Sequence, residues 1–405
     1  MTRRHDLDWV RVLAFALLVL YHVGMYYVTW EWHIDSPHAS TALEPFMMLS
    51  SPWRLSLLFL VSGVATAFLL GKLRRQTGSP GVPARFLGQR SWRLLLPLAF
   101  GMLVVVVPQS YYEVVDKLPG GYHDGYLAFW ARYLAGDGSF CRGGNCLAVP
   151  TWNHLWFVAY LWVYTVAIWL LVRMAPGTLD AAGRRLGGWL ATPAVLLLAP
   201  ALLLAGVRLL LVGRFASTHA LVDDWYNHAQ YFTVFALGFL IAREEGAWRG
   251  FVRLRWIALW LWLASWVAIA GYLELFRDIQ PADGIRMPMR VVWALNQWCA
   301  IVAILGFARH LAPGDSPALR YLSQAVFPVY ILHQTVIIVL AWHARPLGLP
   351  PLVEGPLLAL LTFVLCLTAY EIIRRIGPLR PLFGLKRRGA SAPAPVAGAD
   401  AGQRA

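Results

Sequence analysis

Charge is scarce in this chain. Only 14% of its 405 residues are Asp, Glu, Lys or Arg, and 59% are hydrophobic, whereas ordinary soluble domains carry about 25% charged residues. A single water-soluble domain of this length has no core large enough to hide so much apolar surface, so a soluble enzyme is excluded. Intrinsic disorder, collagen and small disulfide scaffolds are excluded for the chain as a whole on the same grounds. Lysine is nearly missing: Lys72, Lys117 and Lys386 are the only three, and the rest of the 35 basic residues are arginine. With the abundant Ala, Gly and Pro, this bias points to a GC-rich bacterial genome and warns against reading every arginine as functional. Cysteine is rare, and the four present fit no CxxC metal pattern. Cys299 and Cys366 lie in apolar runs as packing residues. Cys141 and Cys146 lie in a polar loop, where either a disulfide or two free thiols fit. There is no GxSxG elbow, Walker loop, Rossmann fingerprint or HExxH, and no internal repeat. His33 and His38 find no third ligand, so no metal site is expected. No cleavable leader is evident, because the first apolar run is too long and no small-residue cleavage site follows.

Long apolar runs are what the chain has. A crossing helix needs about 20 apolar residues, and ten stretches qualify: Asp8–Trp30, Pro45–Leu70, Arg93–Gln109, Trp152–Arg173, Trp189–Val212, Gln230–Arg243, Trp256–Leu275, Arg290–Arg309, Tyr321–His343 and Gly355–Ile376. The expected fold is an all-α polytopic integral membrane protein of about ten transmembrane helices. The formal net charge of +14 would suggest nucleic acid in a soluble protein. Here it tracks the loops instead. Basic residues crowd the N-terminus, the second loop (Lys72 to Arg93), the fourth, sixth and eighth loops, and the C-terminal segment. The alternate loops hold far fewer. By the positive-inside rule both termini are cytoplasmic, and the basic surface meets the anionic inner leaflet, with no nucleic acid needed. Residues 1–388 read as one membrane domain and 389–405 as a disordered cytoplasmic tail. The outer loops carry aromatics beside carboxylates, among them Trp32, His33, Asp35, Glu113 and Asp116. These suit sugar faces and hydroxyls, and they equally suit an interfacial aromatic belt.

Ionisable side chains within spans mark function by default. His22 lies eleven residues past Arg11 on the first helix, about 16 Å along its axis. An imidazole there serves either as a general base or as a core histidine bonded to a neighbouring helix. Asp8 and Arg11, at i and i+3, can pair on one face. Arg54, nine residues past Pro45, is expected about 14 Å into the second span. It needs water or an anionic partner, which a protein carboxylate such as Asp35 or Glu113, or a ligand carboxylate or phosphate, would supply. Arg90 and Arg93 form an RxxR pair at a basic mouth, with both guanidiniums on one face and able to fork onto phosphates. His154 and His333, taken singly, fit packing or interfacial roles as well as substrate contact.

Together these pieces resemble the membrane acyltransferase family 3. The first helix carries an arginine, ten residues and a histidine, Arg11 to His22. Leu58-Phe59-Leu60-Val61-Ser62-Gly63 is similar to the family's FFxxSG segment, with Leu58 for the first Phe. Arg90-Ser91-Trp92-Arg93 resembles its RxxR motif, His154-Leu155-Trp156-Phe157 its HLWF segment, and Tyr330-Ile331-Leu332-His333 its YLxH segment, with Ile331 for Leu. The resemblance runs from about Asp6 to Leu385. Within the family the chain is most similar to the glucan biosynthesis protein C branch, which succinylates periplasmic glucans, mainly through Trp53-Arg54 before the Ser-Gly segment. The resemblance implies transfer of an acyl group, succinyl or acetyl, from cytoplasmic acyl-CoA to a hydroxyl of an extracytoplasmic glycan, in a bacterial inner membrane. It implies His22 and Arg11 as catalytic residues, Arg90 and Arg93 on the phosphates of CoA, and Arg54, His154 and His333 on substrate. Acyl-CoA is a co-substrate, and no permanently bound cofactor is expected. Two other classes remain: a transporter or flippase for a glycan or lipid-linked glycan, which could also have ten helices and buried Arg and His, and a non-enzymatic sensor or assembly partner, which would need neither His22 nor the basic mouth.

Overall fold

The computed structural model describes residues 4–77 and 84–387. The expected tail, residues 389–405, lies outside the described residues. Three quarters of the chain is helix and almost none is strand, as the apolar runs require when backbone groups must be satisfied within lipid. The long helices are α1 (His5–Met25), α3 (Arg54–Thr77), α7 (Trp156–Met174), α9 (Pro193–Leu211), α11 (Glu245–Leu275), α12 (Asp283–Leu311), α13 (Pro317–Ala344) and α14 (Pro351–Ile373). A further apolar stretch, Arg85–Lys117, is built from α4 (Ala84–Phe100), a π-helical turn at Gly101–Val105 and α5 (Val107–Lys117). Short helices α2 (Glu44–Met47), α6 (Tyr126–Leu134), α8 (Thr178–Leu190) and α15 (Leu379–Leu382) lie in the connections. Among the described residues nine helices are long and apolar enough to cross a membrane. The tenth expected span is α10 (Trp225–Ile241), 17 residues, at the short end of a crossing helix.

Burial separates the inner helices from the outer ones. About two thirds of the most apolar window of α3 is buried (67%), against 17% for α11 and 28% for both α9 and α14. The exposed faces of these outer helices carry Leu202, Leu203, Trp260, Val267, Leu360 and Val364, an apolar belt suited to lipid. At the centre, α3 and α10 touch through glycine. Any side chain at Gly63 would strike the carbonyl of Phe235, and any at Gly238 would strike that of Leu60. This explains the Ser62-Gly63 pair, since only glycine lets the two backbones approach so closely.

The first described residues meet the start of α13, where His5 lies 3.8 Å from Asp315. Arg387, the last described residue, lies over Trp92 in the middle of α4, and Gly384 just before it packs against Phe327 in the first half of α13. Both described chain ends therefore sit at one end of the bundle, called here the terminal end. α1 and α13 run parallel from it, and α3 runs antiparallel towards it.

Several boundaries differ from the sequence reading, for local reasons. The second span begins at Arg54 rather than Pro45. Residues 48–53 form turns, because Ser50-Ser51-Pro52 breaks the helix and Pro52 has no N–H to donate. Arg54 is thus the first residue of α3, not a mid-span charge. α1 stops at Met25, short of Trp30. α5 carries helix through Lys117, into what was expected to be loop. α11 starts eleven residues before Trp256 because Glu245–Arg255 is amphipathic, with Trp248, Phe251 and Leu254 buried while Arg249 and Arg253 are exposed. Cys141 and Cys146 are disulfide-bonded across a two-residue-per-strand hairpin, β1 (Cys141–Arg142) with β2 (Asn145–Cys146). Cys299 and Cys366 are buried free thiols.

Candidate functional site: a histidine-lined cavity

α1 and α13 bring together two histidines that lie 311 positions apart. His22 Nδ1 is 2.7 Å from His333 Nε2. The rings are 4.9 Å apart and only 11° from parallel, which fits imidazoles meeting edge to edge in nearly one plane. His333 Nδ1 lies 2.7 Å from the Tyr330 carbonyl. A carbonyl only accepts, so His333 Nδ1 carries the proton and its Nε2 is a bare acceptor. His22 must then donate from Nδ1, which leaves His22 Nε2 unprotonated. That nitrogen has no hydrogen-bond partner among the described residues, and His22 lines a cavity of about 440 Å³. The network thus assigns one tautomer to each ring and leaves Nε2 as the basic nitrogen of His22, on a ring that lines the cavity. His333 itself is fully buried with both nitrogens engaged. Pro328 lies five residues before it in α13 and removes a ladder hydrogen bond just ahead of this segment.

The same accounting holds the walls. His154 Nε2 donates to the carbonyls of Tyr330 (3.1 Å) and Ile331 (3.2 Å), and its Nδ1 accepts from Gln109 at 3.3 Å. Gln109 follows the π-helical turn, in which Val106 N reaches back to Gly101 O. The turn, between Pro97 of α4 and Pro108 of α5, re-aims the start of α5. The Gln109 carbonyl accepts from Asn153 and Gln334, both at 3.1 Å. Gln334 also donates to His33 Nε2 at 2.8 Å, so His33 donates from Nδ1 to Glu113. His33, placed by sequence in an outer loop, folds back as part of the cavity wall.

Arg54 is the unsatisfied member. It is 7% exposed, it lines the cavity, and its Nε and Nη1 are buried without hydrogen-bond partners. Among the described residues no carboxylate forms an ion pair with it: Asp35 is paired to Lys117, and Glu113 to His33. The two protein partners considered from sequence are therefore taken. The guanidinium lies 3.1 Å from the centroid of the Tyr21 ring. A cation–π contact is worth about 0.5–2 kcal/mol, less than the several kcal/mol that burying an unpaired charge costs.

The sequence missed one side of this site. The loop after α9 brings His219 onto the face of Trp156, with centroids 4.2 Å apart and planes 25° apart, and both rings line the cavity. Buried Asp224 organises that loop. It accepts from the backbone N–H groups of Thr218 (3.2 Å) and His219 (3.1 Å), from Asn227 (2.9 Å) and from the Tyr160 hydroxyl. Burial holds the His219 imidazole below its ordinary range, partly opposed by Asp224 and reinforced by Arg54. The polar run Ser217–His228 between two apolar stretches was the available signal.

Arg11, Arg90 and Arg93 are elsewhere. Arg11 lies 3.5 Å from Asp8 and lines a second cavity of about 320 Å³ at the terminal end. Arg4, Lys72 and Arg75 line it too, with Val61, Val64 and Phe68 of α3. Arg90 Nη2 donates to Thr66 on the same stretch of α3 at 3.1 Å, while Arg93 is largely exposed. Arg11 therefore belongs with the basic end and not beside His22. The two cavities follow one another along the α1–α3 seam: Leu58 lines the first and Val61, three residues on, lines the second.

A family model described as an acyltransferase domain, of acyltransferase family 3, matches residues 4–371. No curated protein and no solved structure matches the chain.

Proposed function

The chain belongs to acyltransferase family 3, and from that membership we propose that it is a membrane O-acyltransferase carrying an acyl group along the α1–α3 seam to a glycan hydroxyl. The carrying observation is the bare Nε2 of His22, fixed by His333 on a ring that lines the cavity. Acyl-CoA enters at the basic end, which we assign to the cytoplasm of a bacterial inner membrane. Its phosphates meet the arginines there, Arg11, Arg90 and Arg93 among them, in bidentate contacts that lysine does not replace. The thioester reaches past Val61 and Leu58 towards His22. The acceptor enters from the opposite end, between Trp156, His219 and His33.

His22 Nε2 takes the proton of the acceptor hydroxyl as the oxygen attacks the thioester carbonyl. The C–O bond forms, the C–S bond breaks, and the imidazolium returns the proton to the departing thiolate. His333 and, behind it, the Tyr330 carbonyl hold the ring throughout, as the third member of a triad does. Arg54 supplies the fixed positive charge. We assign it to the free carboxylate of a succinyl donor, which acetyl lacks, with a periplasmic glucan as acceptor.

Purified protein incubated with succinyl-CoA and a neutral glucan, followed by mass spectrometry, tests this reading. A succinyl increment that His22→Ala abolishes supports it. Movement of the glycan across proteoliposomes without any mass change would instead favour transport.

A further inference from the structure

We propose that the acceptor is held at two points, and that a second sugar-binding subsite lies over the disulfide hairpin, next to the histidine cavity. A separate cavity of about 430 Å³ is lined by α5, the hairpin and Glu31. Glu31 lines both cavities. The hydrogen-bonded pair His33–Glu113 forms their shared wall, with His33 facing the catalytic side and Glu113 the hairpin side. A chain-like acceptor with one unit at His22 would lead its next units across Glu31 into this space.

The lining indicates the ligand's chemistry. Its charges balance: Glu31 and Glu113 against Lys117 and Arg142. Lys117 is committed to Asp35 at 3.1 Å and to the Trp32 carbonyl, and Glu113 to His33. Beyond the hairpin's own backbone pairing, the side chains of Glu31, Arg142 and Asn145 have no hydrogen bond or ion pair among the described residues. They offer one acceptor group, one fork of donors and one amide, the set that vicinal hydroxyls use in both directions. Phe140, Leu118 and Leu147 add apolar surface for the C–H face of a ring. A balanced site with unspent donors and acceptors suits a neutral polyhydroxyl unit rather than a phosphate or a cationic group. The disulfide fixes the hairpin that presents Arg142 and Asn145.

The inference rests on the glycan-acceptor reading above, and its test separates the two. Binding of neutral gluco-oligosaccharides of one to four units to the full-length protein in detergent is measured by calorimetry, with acyl transfer from succinyl-CoA followed in parallel. Affinity should rise about tenfold from one unit to two or more, the scale of one or two net hydrogen bonds. Arg142→Ala should flatten that rise. Asn145→Trp, which fills the cavity from an exposed position, should abolish it. Equal affinity for all lengths, or a normal length dependence in both variants, would overturn the subsite. Length-dependent binding without transfer to any sugar would support the subsite and sink the acyltransfer reading.

Discussion

The two cavities along the α1–α3 seam hold their arginines in opposite ways. At the terminal end Arg4 is forked onto Asp6 and Arg11 lies beside Asp8. In the histidine cavity Arg54 has no anionic partner among the described residues, while His154, Gln109, Gln334 and His33 around the same cavity are tied into one hydrogen-bond network. The first arrangement suits a surface that binds and releases a polyanion. The second suits a preorganised site that offers one fixed positive charge and one basic nitrogen. Satisfied networks are rigid, and leaving one member short is costly enough to mark where a ligand belongs.

The sharpest way to break this contrast is at His22. His22→Ala should lower kcat for acyl transfer by about 10²–10⁴-fold while leaving donor affinity unchanged, measured by stopped-flow turnover and CoA binding. Wild-type turnover would end the assignment. Arg54→Gln should come next: succinyl transfer should fall roughly 10–100-fold more than acetyl transfer, the loss expected when a charge-assisted pair of about 1.5–3 kcal/mol is removed. Competition between the two donors, scored by product mass, checks it, and an equal loss for both would make Arg54 a general or structural cation. At the basic end, Arg90→Ala or Arg93→Ala should raise KM for the donor about tenfold with little change in kcat. The effect should shrink at high salt, and lysine should restore it only in part. A fall in kcat with unchanged KM would place these arginines in the chemistry instead.

The smallest expected effect is one of pH. His219 is held neutral by burial, so its folded value lies below that of the unfolded chain. Its contribution to stability is fully present above about pH 6.5 and is lost as pH falls from there towards the folded value, since the unfolded state then binds more protons. Acceptor affinity and thermal stability should therefore decline together on acidification, and His219→Gln should remove that part of the slope. An unchanged slope would show that His219 does not titrate in this range.

Much of this was legible in the sequence, and the exceptions have physical reasons. The apolar runs of α1, α7 and α13 located their helices, and Arg11, His22, Arg90, Arg93, His154 and His333 stood out as charges or imidazoles out of place in lipid. Arg54 also stood out, but its depth was misjudged, because Met47-Met48-Leu49 counts as apolar span while Ser50-Ser51-Pro52 turns the chain. Gln109 could not be found, since its position depends on a π-helical turn that hydropathy does not register. His219 was missed because a polar loop reads as solvated until Asp224 folds it inward. Above all, the sequence could not show that His333 pairs with His22, because that pairing joins residues 311 positions apart.

The tautomer of His22 is the centre of the account, and ¹⁵N NMR of the histidine-labelled protein in nanodiscs reads it directly, with His22→Asn and His333→Gln assigning the signals. At neutral pH the His22 ring should be protonated at Nδ1 and bare at Nε2, and His333→Gln should lose that fixed state together with a drop in kcat. A His22 ring protonated at Nε2, or a tautomer indifferent to His333→Gln, would contradict it.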